Sequence, residues 1–289
     1  MDISFFLIQA LNGVQYGFLL FLVASGLTLI FGIMGVINLA HGSFYMIGAY
    51  LAYWLTGLTG SLLLAILLGL PLAVLTGLAI ERFAISHLYT RDHLYQVLLT
   101  YGLILIFNEM QSILWGNDLY GVAIPEMLTG SIRLTETQSY PVYRLFVSLV
   151  CILVALGMLL TIQKTRLGMM IRAGASNREM TQILGLNIKQ LYAIVFGAGA
   201  GLAAFAGMMA APIEAVYPGM GEGILITSFV VVVIGGIGSI KGAFFGAMLI
   251  GLADTFGSVL VPDYSGIVIY ALMALVLLWR PQGLFGQRV

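Results

Sequence analysis

Nine apolar runs divide the chain, at about 11–31, 43–58, 62–81, 94–115, 143–163, 191–211, 224–240, 242–260 and 266–279. A hydrocarbon core about 30 Å thick takes roughly 20 apolar residues of helix per crossing. In lipid a backbone must satisfy its own hydrogen bonds, which a helix does within one segment. These runs therefore confine the chain to one all-α, polytopic transmembrane helix bundle over residues 1–289, with eight or nine spans. Several runs are short, and those flanking "INLAHGS" and "GGIGSIKG" suit broken or re-entrant segments near 32–43 and 235–242. Composition agrees: 8% of the residues are charged and 61% hydrophobic, where a soluble domain carries about 25% charged.

Lys and Arg near span ends mark the cytoplasmic side. With the loop at 164–190 cytoplasmic, parity places Arg82, Arg91, Lys164, Arg166, Arg172, Arg178, Lys189, Lys241, Arg280 and Arg288 on that side. Only Arg133 and Arg144 fall on the other. The expectation is an outer N-terminus and a cytoplasmic C-terminus, and it is the same if 224–260 is a re-entrant hairpin. The N-terminal stretch "MDISFFLIQALNGVQYG" has no positive n-region and no small-residue cleavage site, so no cleaved signal is expected. Two extramembrane loops are large: a polar outer loop at 116–142, punctuated by Gly and Pro, and the basic, amphipathic inner loop.

Several chemistries are missing. Formal net charge is zero and no basic stripe exists, which removes the footprint of nucleic-acid binding. "GGIGSIKG" has Ile240 before its lysine and no Ser or Thr after it, so it is a glycine-rich break and not a phosphate loop. His41, His87 and His93 form no HxxxH or HExxH pattern, and no GxSxG elbow occurs. Cys151 is alone within an apolar run. No metal, cofactor or catalytic residue is expected.

Ionisable residues within spans cost about 2.5 to 3.5 kcal/mol each at a helix centre, which makes Glu109 and Asp254 functional candidates. Gln15, Ser25 and Thr28 lie in the first run with Asn12, and Asn38, His41 and Ser43 lie at the break after it. Singly, such residues serve as interhelical hydrogen bonds. Beside a break they suit a polar cavity, because irregular backbone persists at membrane depth only when buried or lining water. Gln15, Asn38, His41, Ser43 and Asp254 are the candidate translocation pathway, and parity puts the Asn38–His41 stretch towards the cytoplasmic side. Gly42, Gly235, Gly236, Gly238 and Gly242 are the candidate hinge or break residues. Runs such as "GAGAGLAAFAG" (197–207) allow close helix approach. "NLAHGSFY" and "GSIKGAFFG" echo each other, as repeated broken segments do in transporters.

"RAGASNREMTQILG", Arg172 to Gly185, is more specific. Its Arg172, Ala173, Asn177, Glu179 and Gly185 resemble the EAA loop of ABC importer permeases, with Met180 and Thr181 in place of two alanines and without the later proline. Together with "GLTLIFGIMGVINLAHGSFYMIGAYLA" (26–52) and "FVVVVIGGIGSIKGAFFGAMLIGLAD" (229–254), the whole chain resembles the first permease subunit of the branched-chain amino acid ABC importers. The resemblance implies a multi-pass subunit of the bacterial inner membrane that moves a branched-chain amino acid or related small polar solute inward. It implies as partners a homologous second permease, two cytoplasmic ATP-binding subunits that hydrolyse the ATP, and a periplasmic solute-binding protein, besides membrane lipid. The EAA loop would be a short helix docked in a groove of the ATPase. The outer surface, formed by 116–142 and 211–224, would meet the binding protein with Asp118, Glu126, Glu136, Glu214, Glu222 and Asp263. The same family includes urea and short-amide permeases, so the cargo is open. A competing reading is a secondary transporter or channel in which Asp254, Glu109 and His41 carry a proton or ion. An intramembrane enzyme, the third, lacks a catalytic constellation.

Overall fold

A computed structural model describes residues 3–89, 91–134 and 138–286 of the chain. Glu136 and Arg288, counted above among the outer acids and inner cations, lie outside the described residues. Every apolar run becomes a helix. In chain order these are α1 (Ile3–Met34), α2 (His41–Thr59), α3 (Leu62–Phe83), α4 (His93–Trp115), α5 (Val142–Lys164), α6 (Arg166–Ser176), α7 (Arg178–Ile183), α8 (Ile188–Ala210), α9 (Met220–Gly235), α10 (Ile240–Leu260) and α11 (Ser265–Trp279). A short antiparallel hairpin, β1 (Ser131–Arg133) and β2 (Ser139–Pro141), lies in the 116–142 loop.

Among the described residues, seven segments are long and apolar enough to cross a membrane. α2, with 19 residues, and α9, with 16, are the remaining two. Depth of burial separates inner helices from outer ones. The apolar window of α1 is 83% buried and that of α8 72%, against 11–33% for the other five. Around these two the bundle closes on small residues. On α10, Gly251 meets Gly13 of α1, Ala247 meets Gly17, and Gly238 of the turn before α10 meets Gly32. α10 therefore runs antiparallel to α1 over about 28 Å at 1.5 Å per residue, close to the full hydrocarbon depth. It is a full crossing, not a half-span. α3 lies antiparallel along α8, Gly77 facing Ala200 and Gly69 facing Met208. α2 crosses α8 where Gly48 meets Ala204 and Gly207 meets Tyr45.

The two breaks differ in kind. At the first, Gly35 turns the chain with φ +64°, and residues 36–40 climb back beside α1. The His41 side chain then reaches the carbonyl of Val23, about three turns before the end of α1. α2 consequently starts well inside the bundle, deeper than parity alone places it. The second break, 236–239, is a tight turn with φ +98° at Gly236 and +78° at Gly238. After α11 the chain returns to this turn, where Leu284 N–H donates to Ile234 O (2.8 Å) and Phe285 N–H to Gly235 O (3.0 Å). These bonds satisfy carbonyls that the end of α9 leaves free.

Cations gather at one end of the bundle. Arg82 and Lys189 line one cavity there, and Arg172 and Lys241 line another with Gly32 and the 236–239 turn. The opposite end carries the 116–142 loop, tied to the segment after α8 by paired bonds between Tyr120 and Val216 (2.9 and 2.8 Å).

Candidate functional site

The break before α2 is the polar centre of the bundle. Asn38 and His41 are fully buried, and Ser43 nearly so. The side-chain oxygen of Asn38 accepts the N–H of Ala40 at 3.1 Å, closing the turn that starts α2. His41 Nε2 lies 3.0 Å from Val23 O. A carbonyl only accepts, so Nε2 carries the proton and Nδ1 is left as an acceptor. Space for the ring comes from two glycines: a Cβ at Gly26 would stand 3.0 Å from His41 Cε1 and 2.7 Å from Gly199 O. Among the described residues, the buried Thr28 Oγ1, Asn38 Nδ2, His41 Nδ1 and Ser228 Oγ have no hydrogen-bond partner.

His41→Ala is expected to cost about 2 to 5 kcal/mol, the usual range for emptying a large buried side chain. His41→Gln keeps a donor towards Val23 and is expected to recover at least half of the lost thermal midpoint. Unchanged stability and uptake in His41→Ala would show that the ring neither holds the break nor lines a path.

The glycines singled out in the sequence divide into two roles. Gly42 and Gly221 pack backbone to backbone where α2 crosses α9, a Cβ on Gly42 standing 2.7 Å from Leu225 Cβ. Gly235 and Gly242 make a second such contact between α9 and α10, with 2.7 Å from a Gly235 Cβ to Ala243 N. These three expected hinges, Gly42, Gly235 and Gly242, are helix crossings within regular backbone. Gly236 and Gly238 alone form a turn, and Ser239 caps α10 by accepting from Gly242 N–H at 3.0 Å.

A second polar group lies at the end opposite the cations. Arg144, on the first turn of α5, donates to Asn12 Oδ1 at 2.8 Å and lies within electrostatic reach of the Tyr140 side chain. Tyr16 of α1 is within electrostatic reach of Asp254, Glu214 and Tyr217, and Tyr45 of α2 of Glu214 and Tyr217. Loss of solvent raises the Glu214 carboxyl above the ordinary carboxylate range; Arg144 opposes this and Asp254 adds to it. Asp254 is thus drawn into a mixed-charge cluster, while Gln15 is buried one residue before Tyr16. Glu109 is exposed on α4. Its neighbour Asn108 makes the tie that the sequence did not reveal, donating to Glu222 of α9 at 2.7 Å. The signal for the cluster was present in Asn12 and Tyr16, four apart on one helix face.

At the basic end, the 164–190 loop is two short helices. α6 buries Gly168, Ile171 and Gly174, three residues apart, with Gly174 against Leu191 of α8 and Ile33 of α1. The Arg172 guanidinium donates to the carbonyl of Ile162 near the end of α5. Asn177 caps α7 by accepting from Met180 N–H at 2.9 Å. Gly185 closes it at φ +85°, with its N–H bonded to Gln182 O (2.9 Å) and that of Leu186 to Thr181 O (3.3 Å). This pair of bonds is a Schellman motif. Ala173 and Glu179 are exposed, as are Met180, Ile183 and Leu184, which form an apolar face on α7 outside the spans. Among the described residues no group of three His, Cys, Asp or Glu could hold a metal.

An unwound polar segment held between close-packed helices is the architecture of a membrane permease. The chain belongs to the family described as the branched-chain amino acid transport system permease component, whose model matches residues 9–277. The high-affinity branched-chain amino acid transport system permease protein BraD of Pseudomonas aeruginosa is 34% identical, over 99% of this chain and 97% of its own length. The corresponding protein LivH of Escherichia coli K12 is 31% identical over 98% of the chain and 96% of its own. A probable branched-chain amino acid transport permease protein LivH of Methanocaldococcus jannaschii is 28% identical, over 95% and 91%. No solved structure matches the chain.

Proposed function

We propose that this chain is the translocation subunit of a bacterial inner-membrane importer for branched-chain amino acids, and that it hydrolyses nothing itself. ATP is cleaved on two separate cytoplasmic subunits, one of which receives α7. A homologous second permease completes the path, and a periplasmic binding protein delivers the solute at the face formed by 116–142 and 211–224. In this reading the basic end is cytoplasmic, with the C-terminus, and the N-terminus lies outside. The cation distribution supports that orientation through the positive-inside rule.

The observation that carries the proposal is the full-length family match, joined to an exposed apolar helix on a basic loop. Surface helices with unpaired Met, Ile and Leu outside the membrane fit a docked partner. The path would run from the Arg144–Glu214–Asp254 cluster, whose mixed charge suits an amino acid zwitterion, past Gln15 to the Asn38–His41 break. Uptake of labelled leucine, isoleucine and valine by cells lacking this gene is the test. Loss of all three, restored by the intact gene, is the expected result. Loss of urea or short-amide uptake, with leucine unchanged, would refute the assignment of cargo.

A further inference from the structure

We infer that the groove between α1, α5 and α10 binds an anionic phospholipid of the leaflet at the basic end. One acyl chain lies in the groove, and the phosphate sits at Lys241 and Arg172. The groove has a volume of about 500 Å³ and is walled by Phe18 and Phe21 of α1, Ala155 and Leu156 of α5, and Phe244 of α10. Its lining surface is wholly apolar, with the aliphatic stem of Lys241 at one end. A helix is about 10 Å across, so this volume seats little more than one turn of a second protein chain, whereas a hydrocarbon tail fits lengthwise.

Lys241 also lines a second cavity of about 950 Å³ at the basic end, of mixed lining, shared with Arg172, Ser176, Ser239 and Gln282. The two cavities adjoin at a ring stack, Phe245 of the first on Phe285 of the second (5.2 Å, 17°). Among the described residues no Asp or Glu lines either cavity. Lys241 has no hydrogen-bond or ion-pair partner among the described residues. An apolar slot at hydrocarbon depth that opens on two cations, hydroxyls and the first turn of α10 matches the two halves of an anionic lipid. The inference does not rest on the transport assignment.

Native mass spectrometry of the full chain tests this, in micelles doped equally with phosphatidylglycerol and phosphatidylcholine of the same acyl chains. The expected result is preferential retention of phosphatidylglycerol. Lys241→Gln, a change on an exposed side chain, should reduce the preference roughly fivefold, as removal of one juxtamembrane cation does. Leu156→Trp should lower retention of both lipids by filling the slot. Should that variant misfold, Lys241→Gln with the thermal shift on adding phosphatidylglycerol decides alone. Equal retention of the two lipids, or an unchanged preference in Lys241→Gln, overturns the proposal. So does displacement by millimolar inorganic phosphate, which would make the site one for a free anion. Disulfide crosslinking of two chains through Leu156→Cys would assign the groove to a second copy and equally overturn it.

Discussion

Gly48→Leu is expected to yield no folded bundle. A Cβ at Gly48 would lie 2.6 Å from Ala204 Cα, and the obstacle is α8 backbone, which has no rotamer to yield. Nor can α2 slide along α8, because one turn away Gly207 is closed against the Tyr45 backbone in the same manner. Extra methylenes in a packed core cost about 1 to 3 kcal/mol, and more where backbone must part. Since α8 is an inner helix, separating α2 from it also loosens the seam with α3. Gly57 is the control on the same helix: a Cβ there meets nothing within 4 Å. Gly57→Ala is expected to be neutral or to gain up to about 1 kcal/mol of helix propensity. Size-exclusion fluorescence of detergent extracts reads both. A monodisperse Gly48→Leu with an unchanged thermal midpoint would show that this crossing does not hold the bundle.

The second large effect concerns α7. Glu179→Ala and Gly185→Val are each expected to abolish stimulated ATP hydrolysis in the assembled transporter, a loss of at least about tenfold, while the chain still inserts. Glu179 is exposed in the first turn of α7, where its charge helps that helix end by only about 0.3 to 1 kcal/mol. Its loss should leave the bundle stable, so a fall in stimulated activity would report contact with the ATPase. Gly185 acts differently. Nothing lies within 4 Å of a Cβ there, but φ +85° strains any L side chain by about 1 to 2 kcal/mol. Because α8 is fixed in the bundle, the strain re-aims α7. Full stimulated activity in both variants would remove α7 from the coupling path.

The spans were legible because lipid allows only one solution to a long apolar run, and each run proved to be a helix. Parity told how often the chain crosses but not how deep a break sits. Asn38 and His41 therefore looked like the inner end of α1, although His41 reaches Val23. Glycine spacing likewise announced close packing without naming partners, and Gly48 and Gly57 are indistinguishable in the sequence. The Arg144–Glu214–Asp254 cluster was legible only in its α1 part, Asn12 and Tyr16, because its charged members come from α5, the segment after α8 and α10 and are brought together only by the fold. The α6–α7 loop was the most readable part. Its caps, Asn177 and Gly185, are local chemistry that the residue types themselves dictate.

Leucine uptake into proteoliposomes tests the central claim most directly, with the chain reconstituted beside its second permease, the ATP-binding subunits inside and the binding protein outside. Uptake is expected only when ATP and the binding protein are both present, and it should persist when an uncoupler collapses the ion gradients. Uptake that continues without ATP and stops with the uncoupler would contradict the account, and would make Asp254 and His41 parts of an ion-coupled carrier.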